Sequence, residues 1–171
     1  IDARMLSHHS RCVRTHPIEP TRPLFSEVEL AAWSGFLGTF DRLNRSIEED
    51  LQEHSHLSHV EFEVLLRLAR APDRCMRIQA LADQSILTRS GMSRTVERLV
   101  QSGLVERVVA AEDRRGAYAV LTGEGHERLR SAAEAHTQLV REIFLSRFSE
   151  KELRQMADFW QRLAEGYEQE T

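Results

Sequence analysis

The chain has few cysteines and no long apolar run. Its two cysteines, Cys12 and Cys75, lie in unlike contexts and lack the C-x-x-C spacing of a metal or redox site. This pattern favours reduced, unpaired thiols. No stretch approaches the roughly 18 apolar residues of a membrane span, and no apolar signal-peptide region is visible. We therefore expect a protein of the cytoplasm.

Signatures of common enzymes are also missing from the sequence. It contains no H-E-x-x-H, no G-x-S-x-G, no phosphate-binding loop and no cysteine and histidine pair in a catalytic context. Each of these motifs supplies a reacting group or a cofactor contact that the corresponding chemistry needs. We therefore expect neither enzymatic activity nor a cofactor.

The charge of the chain is unevenly distributed. The 171 residues suit about one domain, and the net charge is −4. Residues 77–115 contain seven arginines and five acidic residues, a net charge of +2. Residues 27–63 contain two arginines and nine acidic residues, a net charge of −7. A locally basic region can bind phosphates inside an acidic protein. We expect the acidic region to point away from such a partner.

The basic region has the pattern of two short helices joined by a turn. The first helix opens at Ile78 with Leu81 and Ala82, and the pattern breaks over 85–87. Thr88 then provides a side chain that can cap a second helix, which Gly103 ends. The spacing therefore predicts a helix-turn-helix.

The second of these helices has one apolar face and one polar face. Met92, Val96 and Leu99 recur at helical spacing and are expected to face the protein. The residues predicted to face outward are Arg89, Ser90, Ser93, Arg94, Glu97 and Gln101. Arginine and serine at a helix start suit the major groove of DNA, where arginine can bind guanine and hydroxyls can reach phosphates or bases.

Two runs typical of strands follow this helix. They span 104–110 and 117–121, and the segment between them contains Asp113, Arg114 and Arg115. A hairpin with arginines at its tip can enter the minor groove, where A·T-rich sequence concentrates negative potential. The alternative is that the hairpin packs into an ordinary core and its arginines are solvated.

The order of these motifs resembles the MarR family of winged-helix transcriptional regulators. The segments that carry the resemblance are Leu81-Ala82, 88–94, 98–100, Gly-Leu-Val-Glu-Arg at 103–107, Asp-Arg-Arg-Gly at 113–116 and Leu-Thr-Gly-Glu-Gly at 121–125. The resemblance implies a mainly α fold with a small β-wing, in which N- and C-terminal dimerisation helices flank a winged helix-turn-helix domain.

The function that follows is sequence-specific binding of double-stranded DNA by a regulator, most simply a repressor. Arg89, Ser90, Ser93 and Arg94 would meet the major groove, with Thr88 at the phosphate-facing helix start. Arg114 and Arg115 would make the wing contact. Asp113 is expected to pair with an arginine and shape the wing, because a carboxylate beside phosphate is repulsive.

The remaining chain is interpreted around this module. Residues 1–23 are expected to form a flexible arm, and 24–171 a single domain whose winged helix-turn-helix core spans 57–122. Long helical patterns over 24–53 and 123–169 predict the dimerisation helices, with a capped break at Ser149. Two recognition helices related by a two-fold axis would bind the half-sites of a pseudo-palindromic operator.

The resemblance also implies control by a small aromatic or apolar effector. The candidate pocket residues are Trp33, Phe36, Phe40, Phe62 and His136. Two sensing alternatives stay open at this point: a metal bound by His54, His56 and His59, which fall within six residues, and oxidation of Cys12 or Cys75. Another alternative is a winged helix used as a protein-interaction module, which Glu97 on the outward face slightly favours.

Overall fold

A computed structural model describes residues 24–85, 87–109 and 116–168, and the side chains of residues 167 and 168 are excluded from the description. The chain divides into two compact units, residues 1–38 and residues 39–171. The helices are α1 (Glu27–Ser55), α2 (His59–Arg70), α3 (Ile78–Asp83), α4 (Arg89–Gln101), α5 (Gly123–Ile143) and α6 (Glu150–Glu168). The strands are β1 (Cys75–Arg77), β2 (Val105–Val109) and β3 (Ala117–Leu121).

Helix α1 begins three residues later than the predicted start at Leu24. The Ser26 hydroxyl accepts a hydrogen bond from the Glu29 N–H at 3.3 Å, and the Glu29 carboxylate accepts one from the Ser26 N–H at 2.7 Å. This reciprocal pair is a capping box, and it fixes the first turn. The prediction was wrong because it followed the apolar periodicity and overlooked the Ser-x-x-Glu signal.

The other end of α1 lies two residues beyond the predicted end at Glu53. His56 has a positive φ of 54°. Its N–H donates to the Gln52 carbonyl and the Leu57 N–H donates to the Leu51 carbonyl, both at 3.3 Å. The bond from His56 to Gln52 is that of an αL ending, in which the residue with positive φ is usually glycine.

We expect His56→Gly to stabilise the protein by about 1 kcal/mol, because the left-handed conformation costs a residue with a side chain about that much. His56 is exposed, so little packing is lost. Urea unfolding of both proteins measures the difference. A lower stability of the variant would show that the imidazole contributes more than the backbone strain costs.

Helix α2 has the predicted boundaries. The Ser58 hydroxyl accepts from the Glu61 N–H, the Glu61 carboxylate accepts from the Ser58 N–H, and the helix ends at Arg70 before Pro72. Phe62 is buried as predicted. The inner face is broader than the prediction of Phe62, Leu65, Leu66 and Ala69, since Val64 and Leu68 are fully buried as well.

The predicted helix-turn-helix is confirmed as α3 and α4. Both helices pack on a core to which every helix from α1 to α5 contributes. The largest fully buried side chains are Leu51, Leu57, Leu65, Leu68, Leu81, Met92, Leu99, Leu104, Val64, Val96 and Val105. Burial of each such side chain stabilises the fold by about 1.5–3 kcal/mol. This core holds α4 so that its other face is exposed.

The strands form a small antiparallel sheet in the order β1-β3-β2. Strand β3 pairs with β2 from Val105 opposite Leu121 to Val109 opposite Ala117, and it pairs with the short β1 on its other edge. The fold is therefore mainly α with a small β-wing, as predicted.

Helix α5 starts directly from the wing. The Thr122 hydroxyl accepts from the Gly125 N–H at 2.9 Å and donates to the Gly103 carbonyl at 2.8 Å, so one side chain caps α5 and fastens it to the end of α4. The predicted continuation of α5 through Phe144 and Leu145 was wrong. The helix ends at Ile143, and a 3₁₀ turn leads to the predicted Ser149 cap of α6.

Candidate nucleic-acid interface

Helix α4 has one buried face, which is apolar except for Thr95, and one exposed polar face. Met92, Val96 and Leu99 are at most 1% exposed, as the sequence spacing predicts. The five residues predicted to contact DNA from this helix and its cap are all exposed, namely Thr88, Arg89, Ser90, Ser93 and Arg94. The structure therefore collects them on one accessible surface.

The first turn of α4 is organised by hydroxyl groups. The Thr88 Oγ1 accepts a hydrogen bond from the Gly91 N–H at 3.2 Å and lies 3.2 Å from the Ser90 Oγ. The Arg94 Nε donates to the Ser90 carbonyl at 3.4 Å. The unpaired N–H groups of a helix start attract anions, so this end of α4 suits phosphate as well as base edges.

Only the base of the wing lies within the described residues. The last pair of the hairpin joins Val109 to Ala117. Asp113, Arg114 and Arg115, the predicted wing contacts, lie outside the described residues. The hairpin base is next to α4, because Arg107 of β2 and Glu97 of α4 form an ion pair at 3.9 Å.

That ion pair changes the interpretation of Glu97. The sequence placed this acidic residue on the outward face of α4, where it slightly favoured a protein-interaction module. The side chain is indeed exposed, but Arg107 of the wing strand neutralises part of its charge. Glu97 therefore does not weigh against a DNA-binding face.

A second contact fastens the wing to the strand before α3. Arg77 pairs with Tyr118 in the sheet register, its Nε donates to the Tyr118 hydroxyl at 2.8 Å, and its guanidinium lies 5.3 Å from the centre of the tyrosine ring. Sequence reasoning overlooked this pair, because residues 41 positions apart meet only when the sheet forms. The contact orients the hairpin relative to the helix-turn-helix.

The three clustered histidines are not brought together as a metal site. His54 Nδ1 faces the Asp50 carboxylate at 3.1 Å, whereas His59 Nδ1 lies 2.9 Å from the Asn44 side-chain oxygen. His56 occupies the turn between α1 and α2. No group of three or more histidine, cysteine, aspartate or glutamate residues in the described part of the chain could hold a metal ion. Cys75 is a free thiol, and Cys12 lies outside the described residues.

Two of the predicted effector residues are in contact. The rings of Phe62 in α2 and His136 in α5 lie 5.0 Å apart between their centres. His136 Nδ1 and Asp50 Oδ2 are buried and have no hydrogen-bond partner among the described residues. Burial lowers the pKa of His136 below its ordinary 6.5, nearby His59 lowers it further, and Asp50 acts in the opposite direction.

This environment predicts a pH-dependent stability. The folded protein favours neutral His136, so the unfolded chain binds more protons once the pH falls below the ordinary value of 6.5. The free energy of unfolding should therefore decrease as the pH falls through that value. In His136→Gln this dependence should weaken, whereas His126→Gln, on the same helix beside Glu127, should retain it. Chemical unfolding at several pH values checks this, and an unchanged slope in His136→Gln would contradict it.

The remaining three predicted effector residues lie on α1. Trp33 and Phe36, in the first compact unit, stack with ring centres 5.9 Å apart. Phe40, in the second unit, is largely exposed.

Large apolar side chains are exposed in each compact unit. Within residues 24–38 they are Leu24, Phe25, Val28, Leu30, Trp33, Phe36 and Leu37. In α6 of the second unit they are Phe159, Trp160 and Leu163. Large apolar side chains exposed at several positions of one segment are typical of an interaction site. In the part of the chain that the structure describes, no helix combines the length and apolar character needed to cross a membrane.

A helix-turn-helix followed by a hairpin defines the class of winged-helix proteins. Similarity to known proteins identifies the family within that class. Residues 57–116 match the model of the MarR family. The regulator PecS of Dickeya dadantii, an HTH-type transcriptional regulator, is 31% identical over 121 residues, which are 68% of this chain and 72% of PecS.

Solved structures agree with this match. Sco3205 of Streptomyces coelicolor, a MarR family transcriptional regulator crystallised in complex with DNA, has a TM-score of 0.78 and 31% identity, covering 84% of this chain and 93% of Sco3205. AbsC, a MarR family regulator of the same organism, has a TM-score of 0.78 and 28% identity, covering 86% of this chain and 99% of AbsC. The chain belongs to the MarR family. It is a transcriptional regulator and not an enzyme.

Proposed function

We propose that the protein is a cytoplasmic, sequence-specific transcriptional repressor that binds a pseudo-palindromic operator as a homodimer. The observation that carries this proposal is the division of α4. One face is buried to 1% exposure or less, and the opposite face presents two arginines and two serines beside the Thr88 cap. A helix whose apolar face packs on the core and whose polar face is exposed can enter the major groove without a rearrangement of the fold.

Each polar residue of this surface has a role in the proposal. Arg94 and Arg89 bind guanine edges or phosphates, and Ser90 and Ser93 bind bases or phosphates through their hydroxyls. Thr88 lies at the helix start and faces a phosphate. On the wing, Arg114 and Arg115 enter the minor groove, and Asp113 orients one of them.

Homodimerisation is supported by the exposed apolar side chains. Trp33 and Phe36 on α1, and Phe159 and Trp160 on α6, are all 40–56% exposed in the single chain. Exposed aromatic residues are enriched at protein interfaces. A second copy of the chain would bury them, and it would also place a second recognition helix about one turn of DNA away from the first.

Repression, rather than activation, is proposed from the similarity to one relative. YetL of Bacillus subtilis, an HTH-type transcriptional repressor, is 24% identical over 147 residues, which are 82% of this chain and 87% of YetL. A repressor needs only to occupy its operator, which is the role proposed here for the α4 surface.

We propose further that a small aromatic effector modulates DNA binding. The contact between Phe62 and His136 supports this, since it lies between α2, which packs on the recognition helix, and α5. The buried His136 Nδ1 has no hydrogen-bond partner among the described residues and could bind a polar group of such a ligand. The effector acts only if it binds one conformation of the dimer more tightly than another.

The test is fluorescence anisotropy of wild-type protein on the DNA flanking its own gene and on a random duplex of equal length, over a salt series. We expect the flanking DNA to bind at least about a thousandfold more tightly than the random duplex, with both affinities falling as salt rises. Equal, weak binding to both duplexes would contradict repression at this site. No binding of duplex at any salt would favour a protein-interaction module.

A further inference from the structure

Glu61 accepts hydrogen bonds with both carboxylate oxygens; one donor is the cap residue of α2 and the other lies on α4. Its Oε2 accepts from the Ser58 N–H at 2.9 Å and so completes the cap of α2. Its Oε1 accepts from the Arg98 Nε at 2.8 Å, and Arg98 belongs to the recognition helix α4. One side chain therefore joins the start of α2 to the last turn of α4.

This ion pair differs from most others among the described residues. Most of them join residues of one helix on the surface, such as Arg45 with Asp41, and such pairs contribute little stability. Glu61 and Arg98 come from separate helices, and the Glu61 side chain is 13% exposed whereas that of Arg98 is 55% exposed. A charge-assisted hydrogen bond in this setting fixes geometry more firmly than a surface pair does.

The carboxylate is charged in the folded protein. Burial acts to raise the pKa of Glu61, but the hydrogen bonds from Ser58 and Arg98 outweigh burial and bring the pKa below its ordinary 4.5. The pair is therefore fully ionised at neutral pH. Protonation does not loosen it under physiological conditions.

From Arg98, hydrogen bonds continue to the DNA-facing end of α4. The Arg98 Nη2 donates to the Thr95 hydroxyl at 3.3 Å, and the Thr95 hydroxyl donates to the Gly91 carbonyl at 3.2 Å. The Gly91 N–H in turn donates to the Thr88 hydroxyl at 3.2 Å. Thr95 is 3% exposed, so this part of the network is protected from water. The network connects Glu61 with the helix turn that presents the DNA contacts.

We propose that Glu61, acting through Arg98, is a positioning residue that sets the orientation of the recognition helix and thereby the sequence discrimination of the protein. This rests on the proposed DNA-binding function. Phosphate contacts are electrostatic and tolerate a small rotation of α4, whereas a bidentate contact between arginine and guanine does not. Loss of the Glu61 charge should therefore weaken specific binding much more than non-specific binding.

The decisive variant is Glu61→Gln. Glutamine retains the volume and one acceptor oxygen. With that oxygen bound to the Ser58 N–H the α2 cap survives, and Arg98 loses both the negative charge and the acceptor of its hydrogen bond. The matched control is Glu48→Gln, because Glu48 accepts from the His59 N–H in the same turn of α2 at 2.7 Å and belongs to α1. Both variants remove one negative charge next to the start of α2.

The measurement is the ratio of dissociation constants for a selected operator and a random duplex, with thermal unfolding in parallel. We expect Glu61→Gln to lower this discrimination about tenfold and to change random-duplex binding less than about twofold. In Glu48→Gln the discrimination should stay at the wild-type value. The unfolding midpoints of Glu61→Gln and Glu48→Gln should lie within a few degrees of one another, so that stability does not explain the difference in discrimination.

Variants of Arg98 test whether Glu61 acts through it. Arg98→Met should reproduce the loss of discrimination, and Arg98→Lys, which keeps a cationic donor, should restore part of it. The double variant Glu61→Gln with Arg98→Met should lose no more discrimination between operator and random duplex than either single variant. Losses that add, or a loss shared equally by the random duplex, would overturn the proposal and leave DNA recognition by α4 intact. A wild-type protein that prefers neither duplex would overturn the proposed function, and the positioning role with it.

Discussion

Gly125→Ala is expected to destabilise the protein by about 3 kcal/mol, although alanine is the better helix former. A Cβ built on Gly125 would lie 2.0 Å from the Leu104 carbonyl oxygen and 2.9 Å from both the Leu104 carbonyl carbon and the Leu121 Cδ1. Backbone cannot move aside as a side chain can. The first turn of α5 would have to separate from the residue before β2, and the Thr122 cap that fastens α5 to the Gly103 carbonyl would be strained.

The control for this prediction lies two residues away. Gly123 is in the same turn of α5, and a Cβ there meets nothing within 4 Å. Gly123→Ala should leave stability unchanged or raise it slightly. In thermal unfolding at fixed protein concentration, the midpoint of Gly125→Ala should lie roughly 10 °C below that of the wild type, given about 3 °C per kcal/mol for a chain of this size. Equal midpoints for the two variants would contradict the close approach of α5 to β2.

Arg94→Ala is expected to cost about 1–3 kcal/mol of specific affinity per recognition helix. The side chain is exposed on α4 beside Ser90, within the surface proposed to enter the major groove. A homodimer presents two copies, so the affinity for a complete operator should fall at least about thirtyfold. Binding to random duplex should fall much less, because it depends on total phosphate contacts.

Arg141→Ala is the matched control for Arg94→Ala. It removes the same charge from an exposed position on α5, away from the recognition helix. Specific affinity should change less than about threefold, and the salt dependence should stay the same. If the two variants lost equal affinity, net charge rather than the α4 surface would explain binding.

The parts of the fold that the sequence predicted are those with local signals. Thr88, Ser58 and Ser149 each precede a helix and can bond its free N–H groups, so the helix starts could be placed within a residue. The apolar residues of the buried face of α4 followed from helical spacing, whereas the burial of Thr95 was not predicted. These features depend on residues within a few positions of one another.

The parts that the sequence did not predict depend on contacts between distant residues. The pairs Arg77 with Tyr118, Glu97 with Arg107, and Glu61 with Arg98 form only after the helices and the sheet have packed. No periodicity signals them. The start of α1 is a different case, because Ser26 and Glu29 carried a local signal that the longer apolar pattern obscured.

The central claim is that two copies of α4 bind DNA as a sequence-specific pair. Selection of binding sites by the purified protein from a pool of random duplexes, followed by sequencing, tests this most directly. We predict enrichment of an inverted repeat whose half-sites lie about one helical turn apart, roughly 10 base pairs centre to centre. A pool that remains unenriched after repeated rounds would contradict sequence-specific binding, and a single unrepeated half-site would contradict recognition by a dimer.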